Sequence, residues 1–228
     1  MVNNSFTSGK NPENQECVYM AGETEVRLTP DFVKKYLVSG DADKVTMQEI
    51  VMFLNFCKGQ RLNPFLREAY LIKYGNSPAS NVVAKTAFEK RAFHNERYRG
   101  FKAGIIVITK NGEIQNRTGA FYMNDEIIVG GWCNVFIEGL EPVSVVVSFQ
   151  EYAGYTKDGK LNSQWAKRPA TMIRKTAKVQ ALREAFPEDF SGMYTAEERG
   201  FETEDIEIPP APEDEKEQTD EFSEIMNG

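Results

Sequence analysis

The sequence predicts an α+β fold: a small antiparallel β-sheet with hairpins, packed against amphipathic helices and followed by a disordered acidic tail. Three observations carry that prediction. Between residues 101 and 152 the chain is rich in β-branched and aromatic residues, and Lys110-Asn111-Gly112 supplies the Asn-Gly turn that favours a tight hairpin. Segments with apolar residues at helical spacing, each with its own start and stop signals, lie on either side of that region. After Met193 the periodicity disappears, and over residues 209–228 the alphabet turns to Pro, Asp and Glu, a composition that buries too little apolar surface to order itself. The boundaries that follow are a disordered N-terminus over residues 1–25, one folded domain over 26–198 and the tail over 199–228.

The first ordered element is a short helix with Thr29 as N-cap, Pro30 in the first turn and Gly40 past the end; Phe32, Val33, Tyr36 and Leu37 form its apolar side. A second helix opens on a capping box, Thr46 with Glu49, and carries Ile50, Val51, Phe53, Leu54 and Cys57, so nearly all of it is expected in the core. At Asn63-Pro64 the proline ring disfavours helical angles in the residue before it, and the chain must turn or extend. Period-two patterning over 68–74 and a returning strand over 81–85 make an antiparallel pair, joined by a loop that Gly75, Asn76 and Pro78 mark. Residues 86–98 read as a helix carrying Lys90, Arg91 and Arg97. A meander of three to five strands follows, in which Gly130 and Gly131 imply a bulge or a close backbone approach. Residues 154–164 form a polar loop.

That loop leads into residues 165–186, the stretch around which the chain is organised. Pro169 suits a first helical turn, no Gly or Pro interrupts the segment after it, and Pro187 ends it. At 3.6 residues per turn, Arg174, Lys175 and Lys178 share an arc about 100° wide, beside an apolar arc of Met172, Val179, Leu182 and Phe186. One flank can bury and the other can hold anions. Arg183 falls over the apolar arc, where it is expected to snorkel or to pair with a carboxylate.

Composition narrows the chemistry. The formal net charge of the 228 residues is −7, but residues 1–196 hold 25 basic and 21 acidic residues, whereas residues 197–228 hold 13 acidic residues against Arg199 and Lys216. A mildly basic body with an acidic tail favours a nucleic-acid partner. No run of about 18 apolar residues exists and the first residues lack an apolar signal core, so a cytoplasmic protein is expected. Cys17, Cys57 and Cys133 are scattered and His94 is the one histidine, which leaves neither a zinc template nor a nucleophile–histidine triad. The cysteines read as reduced, two of them in the core. Neither GxxxxGK[ST] nor GxGxxG occurs, which disfavours an ATP-driven motor. Asp125/Glu126 and Glu138/Glu141 could bind Mg²⁺ in a nuclease, but they sit in loop-like contexts and read as solvated turns. The prediction is therefore a protein with no catalytic residue, no metal and no cofactor.

The cations offer more. Lys73 and Lys85 on the hairpin, Lys90 and Arg91 on the next helix, and Arg174, Lys175 and Lys178 could line a groove for phosphates, with aromatic faces for bases. Tyr74, Tyr98 and Trp165 are expected to be exposed enough to stack, whereas Phe65, Tyr70 and Trp132 are assigned to the core.

Three blocks also resemble a known family. RLNPFLREAYLIKYG, VVAKTAFEKRAF and SQWAKRPATMIRKTAKVQALREAFPEDFSGMYTAEE occur here in the order found in the phage recombinases of the Bet and RecT family, and the resemblance spans about residues 28–198. It implies single-strand DNA binding, ATP-independent annealing of complementary strands in homologous recombination, homo-oligomeric rings or helical filaments, and residence in a bacterial host's cytoplasm. Met172, Arg174, Arg183 and Ala185-Phe186 fall on the family's helix pattern, and Lys175 and Lys178 occupy the segment that faces the DNA backbone. Ala170 and Thr171 stand where Bet has a basic pair. Together with the groove read from the cations and aromatics, this gives an expected DNA-binding set of Lys73, Lys85, Lys90, Arg91, Arg174, Lys175, Lys178, Arg183 and Trp165. The partners implied are single-stranded DNA, the annealed duplex intermediate, a phage exonuclease and the host single-strand-binding protein. Where Bet carries a folded terminal domain, about 30 acidic, disordered residues are expected here. Two alternatives stay open: a passive single-strand coating protein and a Mg²⁺-dependent nuclease.

Overall fold

The computed structural model describes residues 16–199 and 201 as a mixed α+β structure with antiparallel sheets and helices. The tail assigned to residues 199–228 lies almost wholly outside the described residues. Order does not wait until residue 26: β1 (Cys17–Ala21) and β2 (Thr24–Leu28) form an antiparallel hairpin, turning at Gly22 with φ 64°. The expectation of a disordered N-terminus over 1–25 is corrected to that extent. Alternation of Cys17, Tyr19 and Ala21 with outward residues is the signal, and the polar residues before it obscured a five-residue strand.

Helix α1 (Pro30–Tyr36) starts as the sequence predicts: the Thr29 hydroxyl accepts from the Phe32 amide, and Pro30 stands in the first turn. It leads into β3 (Val38–Gly40), which runs parallel to β4 (Ala69–Lys73); β4 pairs antiparallel with β5 (Ser80–Val83). Parallel neighbours need a crossover, supplied here by α2 (Met47–Gln60). Both halves of the predicted capping box form, with Thr46 N donating to Glu49 Oε2 at 2.9 Å and Glu49 N to Thr46 Oγ1 at 3.3 Å. The helix is amphipathic rather than nearly all buried: Ile50, Phe53, Leu54 and Cys57 face inward, while Met52 is exposed. Helix α3 (Lys85–His94) follows β5.

The largest sheet holds β6 (Tyr98–Ile108), β7 (Ile114–Thr118), β8 (Ile127–Ile137) and β9 (Val143–Ser148) in the order β7-β6-β8-β9. It is not a simple meander, because β8 returns beside β6 and leaves β7 at the edge. The pairing matches the two eleven-residue strands, whose alternating buried positions supply the core, and excludes the five-residue β7, which has no fully buried residue. The Asn111-Gly112 turn joins β6 to β7 as predicted, with Gly112 at φ 83°.

After the short helices α4 (Phe149–Tyr152) and α5 (Ser163–Lys167), helix α6 (Pro169–Ala185) lies across one face of this sheet against β8, β9 and β6. Gly130 and Gly131 are what the sequence implied. The β6–β8 register slips beside Gly130, and a Cβ on Gly131 would sit 2.7 Å from the Ile173 carbonyl oxygen of α6. Helix α3 covers another side of α6, and buried residues occur almost all round the helix. All three cysteines are free and buried, one more in the core than expected. Among the described residues no helix is long and apolar enough to cross a membrane.

Candidate nucleic-acid interface

Because α6 is packed between the sheet and α3, its basic residues do not stand on an open flank. Lys178 is 3% exposed; its ammonium pairs with Glu89 of α3 and sits 4.6 Å from the Phe101 ring centroid. Burial pulls its pKa below the usual lysine range, against the opposing pull of Glu89. Glu89 also takes Lys85 at 3.2 Å, one helical turn away, so one carboxylate serves two cations. Lys175 Nζ lies 2.5 Å from Glu197, and Arg183 donates to Glu198 at 2.9 and 3.0 Å and to the Met193 carbonyl at 3.0 Å. The carboxylate partner expected for Arg183 is thus Glu198, in the turn that folds back over α6.

The cations outside α6 follow the same pattern. Lys73 is buried on β4, with its Nζ 2.8 Å from Glu49. Burial raises the Glu49 pKa, but hydrogen bonds from Lys73, Thr46 and Ala79 outweigh it and hold the carboxyl at about 2. Lys90 reaches Glu68 at 2.8 Å yet remains about half exposed. Arg91 ties three segments together, donating to Gln60 Oε1 at 2.7 Å, to the Asp189 carbonyl at 2.6 Å and to the Gln60 carbonyl. Burial lowers its pKa. Lys90 and Arg91 line an open cleft of about 480 Å³ with Arg61 and His94, and Glu68, Glu188 and Asp189 share its walls.

Arg174 differs from the rest. Its Nε donates to the Ala103 carbonyl at 3.3 Å, and among the described residues it has no carboxylate partner. Ala103 is also where β7 stops: the Gly119 amide donates to the same carbonyl at 3.0 Å, and β6 continues toward Tyr98 without β7 beside it. Arg174 therefore marks an accessible, half-buried cation at a free strand edge.

The expected aromatic faces are corrected. Trp165 is 2% exposed, edge-on to Phe149 with ring centroids 5.4 Å apart, and Tyr98 is buried between Phe93 and Phe186. Tyr74 is exposed, as expected, and packs beside Phe201. Trp132, assigned to the core, is half-buried on the sheet face opposite α6. Alternation along a strand names two faces without saying which will be covered, so the sequence had no signal for this. Nor could it reveal the carboxylates that hold the cations, apart from Lys85–Glu89 at helical spacing. Glu126 is taken up by Arg117 and Glu138 by Arg99, and among the described residues no group of three or more His, Cys, Asp and Glu side chains gathers as a metal site would require.

An antiparallel sheet backed by one long helix, most of whose cations are held by carboxylates, defines a protein of mixed α+β class. The sequence matches the family model of the RecT family over residues 24–218, and the chain belongs to that family. It is also 26% identical over 145 residues to an uncharacterized protein of Ureaplasma parvum serovar 3. That match takes in 63% of this chain and spans 56% of the relative's length.

Proposed function

We propose that this protein binds single-stranded DNA and anneals complementary strands in homologous recombination without ATP, working as a homo-oligomer on the strand and on the annealed duplex intermediate. The observation that carries the reading is the family match over residues 24–218, which takes in every element from β2 through α6. The lack of a phosphate-binding glycine loop is consistent with ATP independence. Annealing needs no catalytic residue. Its chemistry is neutralisation of one strand's phosphates while the base edges stay open to a second strand, so that base pairing supplies specificity and the protein supplies alignment. Of the residues named from the sequence, Arg174 and Lys90 are the accessible candidates. Lys85, Lys175 and Arg183 would have to exchange a carboxylate for a phosphate, while Lys73, Arg91, Lys178 and Trp165 would act by holding the surface in shape. A phage exonuclease and the host single-strand-binding protein remain proposed partners, and a bacterial cytoplasm the proposed setting.

The test is sequential addition of two complementary fluorescent oligonucleotides to the purified chain, without nucleotide or metal, across a salt series. Pairing faster than the spontaneous rate, with the acceleration fading as salt rises, is the expected result. Tight binding with slowed pairing would make the protein a passive coat instead, and EDTA-sensitive loss of the strand would make it a nuclease.

A further inference from the structure

The sheet face opposite α6 is not used by any contact described above. Of the two β6–β8 faces, one is filled by Ala103, Ile105, Cys133 and Val135 against α6, and on the other Lys102, Ile106, Trp132, Asn134 and Phe136 all stay at least partly exposed. On that open face Trp132 of β8 has an unusual position. Its Nε1 donates to the Arg117 carbonyl of β7 at 3.2 Å, although β6 lies between those two strands. The residue of β6 paired with Trp132 is Gly104, and a Cβ there would sit 2.7 Å from the indole nitrogen. The missing side chain thus leaves room for the indole to reach across β6, and Trp132 stays partly exposed there. A hydrogen bond at the far end of the ring fixes it in that pose. Val146, the β9 partner of Trp132 on the same face, is 68% exposed.

Charge selects the occupant. In a chain with 34 acidic residues, none falls within β6, β7, β8 or β9. The same strands carry Arg99, Lys102 and Arg117; Glu138 and Glu126 take the two arginines, which leaves Lys102. Lys102 is exposed, with its ammonium 5.9 Å from the Phe136 ring centroid, and it precedes Ala103, whose carbonyl holds Arg174 on the other side of the strand edge. Two cations therefore flank the edge of β6 that β7 leaves unpaired, and beside them stands the half-buried Trp132, on strands that carry no carboxylate. A polyanion with planar bases fits that combination.

We infer that the open face of the β7-β6-β8-β9 sheet is a base-stacking platform for single-stranded DNA. Trp132 takes a base on its solvent-facing ring, Phe136 supports a neighbour, and Lys102 and Arg174 hold the adjoining phosphates at the edge of β6. The inference rests on the proposed single-strand reading and adds a site to it.

The chain's two tryptophans make the test direct, because Trp165 is buried and emission that responds to an external quencher reports Trp132. The full chain is titrated with a single-stranded oligo(dT), following emission and protection from iodide. The expected result is quenching and protection that saturate with binding, about tenfold weaker affinity in Trp132→Ala, and affinity restored in Trp132→Phe. Binding and annealing that leave emission, iodide access and the Trp132→Ala affinity unchanged would overturn the platform while the proposed function stands. Absence of any single-strand binding would remove both. A platform that instead belongs to a second copy of this chain would show protection on concentrating the DNA-free protein and a smaller sedimenting species for Trp132→Ala, and that outcome also overturns the proposal.

Discussion

Glu49 shows how one side chain can do three jobs. It completes the capping box of α2, accepts the Ala79 amide at 2.7 Å and receives the buried Lys73 ammonium, so its charged form is bound from three directions. A carboxyl whose folded pKa is depressed adds stability above its unfolded pKa and loses it as pH falls through the folded value. For Glu49 that window runs from 4.5 down to about 2. Lys73→Met removes one of the three donors, so the acid-unfolding midpoint followed by circular dichroism should move to higher pH. An unmoved midpoint would assign the hold to Thr46 and Ala79 alone. Glu89 gives the complementary case, because it faces a cation that is itself buried. Glu89→Gln leaves Lys178 as an unpaired interior charge and should destabilise the fold by about 3 kcal/mol in urea melts. Adding Lys178→Met to that variant should restore most of the loss, since an apolar chain of similar length removes the charge. A double variant as unstable as Glu89→Gln would mean that packing around Phe101, not charge, is what the pair protects.

At the scale of elements, the sheet–helix contact is closest where glycine permits it. In Gly131→Ala the new Cβ would press on the Ile173 carbonyl, and backbone cannot rotate out of the way as a side chain can. Overpacking of that kind should cost about 1–3 kcal/mol in chemical denaturation. Gly59 is the control: it lies within α2, a Cβ added there would meet nothing within 4 Å, and Gly59→Ala should stabilise by about 0.5–1 kcal/mol. The same contrast separates what could be read in the sequence from what could not. Thr29-Pro30, the Thr46–Glu49 box, Asn111-Gly112 and Pro169 are local signals, and the start of each element they open was legible within a residue or two, although α1 and β7 end earlier than the pattern implied. The parallel β3–β4 pair, the placement of β8 beside β6 and the burial of Lys178 depend on partners distant in the chain, to which local patterning is blind. The basic arc of α6 illustrates the limit. Its angular arrangement was correct, but α3 and the turn carrying Glu197 and Glu198 arrive from elsewhere to cover it.

For the whole molecule, the proposed function raises the question of how a chain of net charge −7 can hold a polyanion. The acid is concentrated beyond residue 196, and within the fold the carboxylates that approach the basic helix are each committed to a cation. On the proposed reading, what remains for DNA is a small set of accessible cations, repeated in each protomer of the proposed homo-oligomer, and not a strongly positive surface. Counterion release then sets a measurable number. If each protomer neutralises about four phosphates, log affinity against log salt for single strands should fall with a slope near −3 per protomer unit, and Arg174→Ala should reduce that slope by about 0.7. Fluorescence anisotropy of a labelled oligonucleotide between low and physiological salt measures both. A slope unaffected by Arg174→Ala, in a variant that still melts like the parent, would take Arg174 out of the phosphate track and leave its contact with the Ala103 carbonyl as its whole role. A flat salt response in the parent would count against phosphate neutralisation altogether and move the source of affinity to the bases, where the Trp132 face would have to supply it.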